Sequence, residues 1–210
     1  IDLRSDTVTK PTAGMSSAIS SAITGDDVFA EDPEINELQS RCAEMFGKDG
    51  GLFCPSGTMT NQIAISVHTR PGDEVICDKL SHIYNYEGGG MARLSGASVK
   101  LLAGDRGRFT SEDVLKAINP DDSHYAKTSL VSLEDTCNKG GGAVWDEKEI
   151  VAINKVAKSK SLAMHLDGAR LWNAMVARGI HNDTEALQKY GRNFDSISLC
   201  LSKGMGCPVG

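Results

Sequence analysis

Lys203 stands in surroundings that suggest chemistry. It follows an apolar, β-favouring stretch, residues 194–201, and precedes Gly204. That pattern predicts a short buried strand that ends close to the lysine. A lysine at the rim of such a strand is partly desolvated, which disfavours the ammonium form and leaves an amine able to attack a carbonyl. From this stretch alone, a surface lysine that caps a loop is the simpler interpretation.

Asp167 ends a second apolar stretch, residues 162–166, and is followed by Gly168, Ala169 and Arg170. A carboxylate at the end of a buried strand needs a partner, because an unpaired buried charge is costly. Arg170 could pair with Asp167 as a structural salt bridge. Alternatively, its two-pronged guanidinium could bind the carboxylate of a substrate.

Residues 55–61 join a predicted strand to a predicted helix and include Ser56, Gly57 and Thr58. Small and hydroxyl residues at a helix start leave backbone N–H groups free at the positive end of the helix dipole, which suits a phosphate. An ordinary N-cap by Ser56 or Thr58 explains the same residues equally well. No glycine-rich run ending in Lys-Ser or Lys-Thr is present, so this is not a Walker-type loop.

Two histidines lie in predicted loops, His82 after the strand at 74–77 and His124 before the strand at 129–133. Each could stack on a planar ligand or move protons near neutrality, and each could equally be a surface residue. We interpret the other three histidines as structural, namely His68, His165 and His181.

These features have one use in common. In an open α/β sheet, ligands bind beyond the carboxyl ends of the strands. Pyridoxal phosphate needs a lysine for its Schiff base, an acidic partner that keeps its ring nitrogen protonated, and an anion site. Lys203, Asp167 and the turn at 55–58 therefore predict a pyridoxal phosphate site.

The elements that would position these residues alternate along the chain. Asp32 and Pro33 predict a helix start, because aspartate is a favoured N-cap and proline a favoured first helical residue. Near-continuous apolar strands between helices predict an α/β fold with a mostly parallel sheet. The predicted strands are 52–54, 74–77, 98–102, 129–133, 162–166 and 194–201, and the predicted helices are 33–46, 58–68, 111–118, 146–159 and 170–177.

The composition limits the function classes. The 210 residues are 40% hydrophobic, enough for one substantial core, and their formal net charge of −6 argues against nucleic acid or an anionic membrane as partner. No apolar run approaches the roughly 20 residues that span a bilayer. The six cysteines form no Cys-x-x-Cys pair, which is typical of reduced cytosolic proteins. We expect a cytoplasmic protein that binds a small molecule and no metal.

Several segments of the chain are similar to a single family. They are residues 2–9, 25–28, 55–58, 82, 133–136, 165–170 and 201–204. On these motifs, of which the first and last are the most specific, the sequence resembles the low-specificity L-threonine aldolases. These are pyridoxal 5'-phosphate enzymes of the β-eliminating lyase group.

The resemblance implies the aspartate aminotransferase fold (fold type I), an α/β architecture with a mostly parallel seven-stranded sheet between helices. Residues 1–210 would form the large cofactor-binding domain, with an N-terminal arm over about residues 1–30. A small C-terminal domain with a further carboxylate-binding arginine is expected outside the sequence given. The resemblance also suggests a homotetramer.

The resemblance assigns roles to single residues. Lys203 would form the Schiff base, Asp167 would pair with the pyridine nitrogen, and His82 would stack on the ring. The other roles concern the phosphate (Ser56, Gly57, Thr58), the substrate carboxylate (Ser5, and Arg170, which would also contact the cofactor), the substrate hydroxyl (His124) and the substrate's surroundings (Tyr86). One loop departs from the family, which commonly has Asn and His where this chain has Asp135 and Cys137, and this weakens any role for that loop.

The implied reaction cleaves L-threonine or L-allo-threonine into glycine and acetaldehyde, or another β-hydroxy-α-amino acid into its aldehyde. The base could be His82, His124 or a water that they position. One alternative is another fold type I enzyme, such as a β-eliminating lyase or an amino-acid racemase. A nucleotide-binding α/β domain is the non-enzymatic alternative, although no Gly-x-Gly-x-x-Gly follows a strand.

Overall fold

The computed structural model describes residues 2–210; Ile1, the first residue of the predicted arm, lies outside the described residues. Five parallel strands form one sheet in the order β2-β1-β3-β4-β5. The strands are β1 (Glu74–Asp78), β2 (Ser98–Leu102), β3 (Thr128–Glu134), β4 (Ala163–Gly168) and β5 (Ser196–Leu199). The chain moves outward from β1 to β2 and then returns to the other side of β1, so the strand order reverses between β1 and β3.

The sheet differs from the prediction in strand number, since residues 2–210 form five strands where the resemblance implied seven. Residues 52–54, predicted as a strand, are irregular. An apolar pocket lined by these residues and by Ile197 and Leu199 of β5 separates them from the sheet. Without an adjacent strand to accept its backbone hydrogen bonds, an apolar run of three residues does not become a strand.

Helices cover both faces of this sheet. They are α1 (Ala13–Ser21), α2 (Pro33–Met45), α3 (Gly57–His68), α4 (His82–Asn85), α5 (Gly90–Leu94), α6 (Ser111–Ala117), α7 (Glu147–Ser159), α8 (Leu171–Arg178) and α9 (Thr184–Gly191). Asp32 caps α2 as predicted, because its side chain accepts from the N–H groups of Glu34 and Ile35. Four of the nine α-helices in residues 2–210 were not predicted, namely α1, α4, α5 and α9. None of the helices in residues 2–210 has the length and apolar character to cross a bilayer.

Two apolar clusters lie on opposite faces of the sheet. One gathers Val75 and Cys77 of β1 with Ile65 of α3, and the other includes Ile76 of β1 and Ile150 of α7. Because successive side chains of a strand point to opposite faces, a strand covered on both sides must be apolar at nearly every position. The near-continuous apolar strands of the sequence are explained in this way.

Candidate functional site

The candidate residues collect at the carboxyl ends of the strands. His82 follows β1, Glu134 ends β3, and Asp167 lies near the end of β4. Parallel pairing places Glu134 beside Asp167, and Asp167 beside Ser198 of β5. Lys203 comes shortly after the end of β5. This edge, at the reversal of strand order, is where open α/β sheets bind ligands.

Asp167 is buried, with 2% of its surface exposed. Its Oδ1 accepts from the Ala169 N–H at 3.1 Å, and its Oδ2 accepts from the Asn61 amide at 3.0 Å. Burial raises the pKa of this carboxyl, partly offset by the Ala169 hydrogen bond. A cationic N–H placed against Asp167 would therefore be strongly favoured.

Arg170 does not pair with Asp167, so the first of the two predicted alternatives is wrong. Its Nε and Nη2 instead donate to the two carboxylate oxygens of Asp6, each at 2.8 Å. Ser5, predicted near the substrate carboxylate, accepts the Thr7 N–H at 3.2 Å and caps a short 3-10 turn, Asp6–Val8. The polar N-terminal arm is thus docked at the site edge.

The start of α3 has the geometry of an anion site. Ser56 is the N-cap and accepts the Met59 N–H through its hydroxyl at 3.2 Å. Within residues 2–210, the N–H groups of Gly57 and Thr58 have no hydrogen-bond partner. A Cβ at Gly57 would lie 2.5 Å from Cys200 Sγ, so only glycine fits here. The capping and the phosphate interpretations of this turn are therefore compatible.

Lys203 is half-buried and lies close to this helix start. Its Nζ donates to Cys200 Sγ at 3.0 Å, and the same sulfur packs against Gly57. The Lys203 carbonyl accepts from Thr9 Oγ1 at 2.6 Å, which ties the arm to the lysine segment. Cys200 therefore lies between the lysine and the helix start.

His82 begins α4 and is held from two sides. Its backbone N–H donates to Glu134 Oε2 at 2.9 Å, and its Nδ1 donates to Glu87 Oε1 at 2.9 Å. Tyr86 lies against the imidazole, with ring centroids 5.5 Å apart. The hydrogen bond to Glu87 raises the pKa of His82, and burial opposes this. Since Nδ1 is engaged, Nε2 is the nitrogen left for a ligand.

Glu87, Glu134 and Asn61 belong to this site, although the sequence analysis assigned none of them a role. Burial, together with the charge of Asp167, raises the pKa of Glu134 to about 7. Glu134 could have been found, because it lies at a strand end within a family motif. Glu87 gives no sequence signal, since it lies outside the family motifs and precedes three glycines, a pattern typical of a loop.

His124 is not brought to this edge. It precedes β3, so it lies at the amino edge of the sheet, and its side chain is 87% exposed. Among the residues that the structure describes, its Nδ1 hydrogen-bonds only to the neighbouring Asp122, at 2.8 Å. A place for His124 near the substrate is therefore not realised within one chain. Tyr86 is half-exposed beside His82, and its contact with a substrate remains a prediction.

The residues fit pyridoxal phosphate by their chemistry. The start of α3 offers unpaired N–H groups to an anion, Lys203 offers an amine, and the buried Asp167 favours a cationic ring nitrogen. Potential metal-ligand atoms of His82, Glu87 and Asp167 also lie within 4.8 Å of one another. They hydrogen-bond to each other or to Asn61, so we interpret them as a polar network.

The chain is thus a parallel α/β protein in which a helix start with free N–H groups lies close to a lysine at the carboxyl edge of the sheet. The family model described as "Beta-eliminating lyase" matches residues 2–210, and the chain belongs to that family. Among curated proteins, it is 44% identical over 213 residues to the low specificity L-threonine aldolase of Saccharomyces cerevisiae. That match covers 100% of this chain and 53% of the yeast protein, so the chain spans about half of that relative's length.

Solved structures share the fold. The Leishmania major threonine aldolase superposes with a TM-score of 0.80 at 24% identity, covering 96% of this chain and 59% of that chain. A structure described as SPT with PLP superposes with a TM-score of 0.57 at 21% identity, covering 81% of this chain and 39% of that chain. At these identities the likeness establishes the α/β fold of the family.

Proposed function

We propose that the protein is a pyridoxal 5'-phosphate-dependent aldolase that cleaves L-threonine or L-allo-threonine to glycine and acetaldehyde. The observation that carries this proposal is the meeting of Asp167, the α3 start and the Lys203 segment at one sheet edge. Membership in the β-eliminating lyase family and the threonine aldolase name of the yeast relative support it.

Each part of the edge has one task in this proposal. Lys203 holds the cofactor covalently, and Asp167 holds the proton on its ring nitrogen. The free N–H groups of Gly57 and Thr58, with the Thr58 hydroxyl, bind the phosphate at the positive end of α3, which Ser56 caps. His82 would stack on the cofactor ring. When bound, pyridoxal phosphate supplies an electron sink for the negative charge that bond cleavage leaves on Cα.

His82 is the base that the geometry favours. Its Nε2 removes the proton of the β-hydroxyl, the Cα–Cβ bond breaks, and the aldehyde leaves. A proton then returns to Cα to complete glycine. Glu87 supports this role because its hydrogen bond fixes the ring and stabilises the imidazolium.

Arg170 and Ser5 hold the substrate carboxylate in this proposal. Asp6 engages Nε and Nη2 of Arg170, while Nη1 has no hydrogen-bond partner within the described residues 2–210. Asp6 therefore orients the guanidinium and leaves one nitrogen for the substrate. Tyr86 would contact the substrate side chain, a role that its exposed position beside His82 supports.

The test uses the full-length protein. We expect a yellow absorbance band, and borohydride should fix a pyridoxyl group on Lys203 in the wild type and in Lys139→Ala but none in Lys203→Ala. Threonine should give glycine and acetaldehyde. Pyruvate and ammonia as products would instead identify a β-eliminating lyase, and a change of stereochemistry alone would identify a racemase. If the protein bound no cofactor, the nucleotide-binding domain would be the remaining alternative.

The assembly is proposed from the resemblance alone, and the location from the six cysteines, which form no Cys-x-x-Cys pair. We propose a homotetramer in the cytoplasm. Analytical ultracentrifugation of the full-length protein tests the first, and a dominant species other than four chains would overturn it. Cell fractionation tests the second.

A further inference from the structure

Asn61 lies in the first half of α3 and is buried, with 2% of its surface exposed. Its Nδ2 donates to two carboxylates, Asp167 Oδ2 at 3.0 Å and Glu87 Oε1 at 2.9 Å. Its Oδ1 lies 3.0 Å from His165 Nε2. Three of the four hydrogen bonds available to one amide are thus made inside the site wall.

The direction of these hydrogen bonds follows from the donors. Because Asn61 presents its amide nitrogen to the carboxylates, its oxygen must accept, so His165 carries its proton on Nε2. Burial lowers the pKa of His165 to about 3, so the ring is neutral and its Nδ1 accepts from Ser196 Oγ at 2.9 Å. Ser196 Oγ then accepts from His68 Nε2, also at 2.9 Å. In this series of hydrogen bonds, from His68 through Ser196 and His165 to Asn61, each donor points towards the two carboxylates.

The two carboxylates have different tasks in the proposed function. Asp167 would pair with the ring nitrogen of the cofactor, and Glu87 holds the imidazole of His82 through Nδ1. Asn61 hydrogen-bonds to both carboxylates, and it shares Glu87 Oε1 with His82 Nδ1. Without Asn61, the carboxylate of Asp167 would keep only the Ala169 N–H as a hydrogen-bond donor within residues 2–210.

We propose that Asn61, oriented by His165, is a positioning residue that couples Asp167 to the Glu87–His82 pair. This inference rests on the proposed function for its cofactor. One amide then sets the orientation of the group at the ring nitrogen and of the group that holds the base. A change in the position of either carboxylate therefore shifts Asn61 and, through it, the other carboxylate.

The first test compares two buried asparagines. Asn61→Leu replaces the amide oxygen and nitrogen by two methyl groups and keeps the branched side chain, and Asn154→Leu is the matched control. Asn154 is similarly buried in α7 and donates to the Asn193 carbonyl and to Met164 Sδ. We expect Asn61→Leu to weaken pyridoxal phosphate binding by about 10- to 100-fold, the usual effect of losing a hydrogen bond to a charged group. Asn154→Leu should bind within about twofold of wild type. Equal affinities in the two variants would overturn the proposal.

The second test measures coupling. Glu87→Gln should weaken cofactor binding in the wild-type background. The effect should be smaller in the Asn61→Leu background, because the hydrogen bond from Asn61 to Glu87 is already absent there. Additive effects of the two changes would show that Asn61 does not couple the carboxylates. If Asn61→Leu fails to fold, Asn61→Ala replaces it in the same cycle.

The third test needs neither a variant nor the cofactor. Nitrogen-detected NMR of the histidine rings in the full-length protein should show His165 as the Nε2–H tautomer. The Nδ1–H tautomer would reverse the hydrogen-bond chain and overturn the proposal. If the wild type bound no pyridoxal phosphate, the proposed function would be refuted. The His165 tautomer would still show the direction of these hydrogen bonds.

Discussion

Arg170 and Asp6 form a two-point ion pair that joins residues 164 positions apart, with both N–O distances at 2.8 Å. Bidentate guanidinium–carboxylate pairs are strong and directional. This pair attaches the N-terminal arm to the end of β4, beside the proposed cofactor site. The arm is therefore part of the site wall, and Asp6 sets the direction of the Arg170 guanidinium.

Replacing Asp6 should release the arm. We expect Asp6→Asn to increase hydrogen exchange at residues 7–9, because the side-chain pair with Arg170 is lost. Asp2→Asn is the matched control, since Asp2 also bonds an arginine, Arg4, but only locally and in solvent. Equal exchange in the two variants would show that the Asp6 pair does not hold the arm.

The same pair predicts an acid-dependent opening. Burial acts to raise the pKa of Asp6, but the Arg170 hydrogen bonds and the charges of Arg170 and Lys203 outweigh it, and the pKa lies below its ordinary value. A carboxyl with a lowered pKa stabilises the folded state above its unfolded-state pKa and loses that contribution as the pH falls through the folded-state pKa. Protection of residues 7–9 should therefore hold at neutral pH and fall below about pH 4.

Gly57→Ala should damage the α3 start. The new Cβ would lie 2.5 Å from Cys200 Sγ, so the helix start or the Lys203 segment must move. We expect weaker cofactor binding and a loss of about 1–3 kcal/mol in the free energy of unfolding. Adding Cys200→Ala should restore both, because it removes the atom in the way. Gly50→Ala, where no atom lies within 4 Å of the added Cβ, should have little effect.

The two candidate histidines should differ in effect. His82→Phe keeps an aromatic ring that could stack on the cofactor but removes the proposed base, so kcat should fall by about 10²- to 10⁴-fold with cofactor binding largely kept. His124→Phe changes an exposed residue at the opposite edge of the sheet and should keep most of the activity. Steady-state kinetics on threonine measure both. Comparable losses would contradict the placement of the base at His82.

Glu134 should make stability depend on pH near neutrality. Burial and Asp167 raise its pKa to about 7, so the folded state holds this proton more tightly than the unfolded state does. That contribution to stability is complete below the unfolded-state pKa and is lost as the pH rises towards about 7. Thermal unfolding without cofactor should therefore show a smaller fall in Tm between pH 5 and pH 8 in Glu134→Gln than in wild type.

Much of the fold could be predicted because its signals are local. The inner strands β1, β3 and β4 are buried on both faces, and Asp32 with Pro33 marks the start of α2. The irregular segment 52–54 was misassigned, because three apolar residues become a strand only if a neighbouring strand pairs with them. The short helices α4 and α5 escaped prediction, since neither is long enough to show an apolar period.

The sequence by itself determined the family, the parallel α/β fold and the strand-end positions of Asp167 and Lys203, because these follow from apolar periodicity and short motifs. Only the tertiary structure decided the partners of the polar side chains. Arg170 pairs with Asp6, Asn61 joins Asp167 to Glu87, and His124 lies at the other edge. Such pairs depend on how distant elements are aligned when the sheet and α3 pack together. That alignment comes from burial of apolar surface over the whole chain, so no local pattern of polar residues records it.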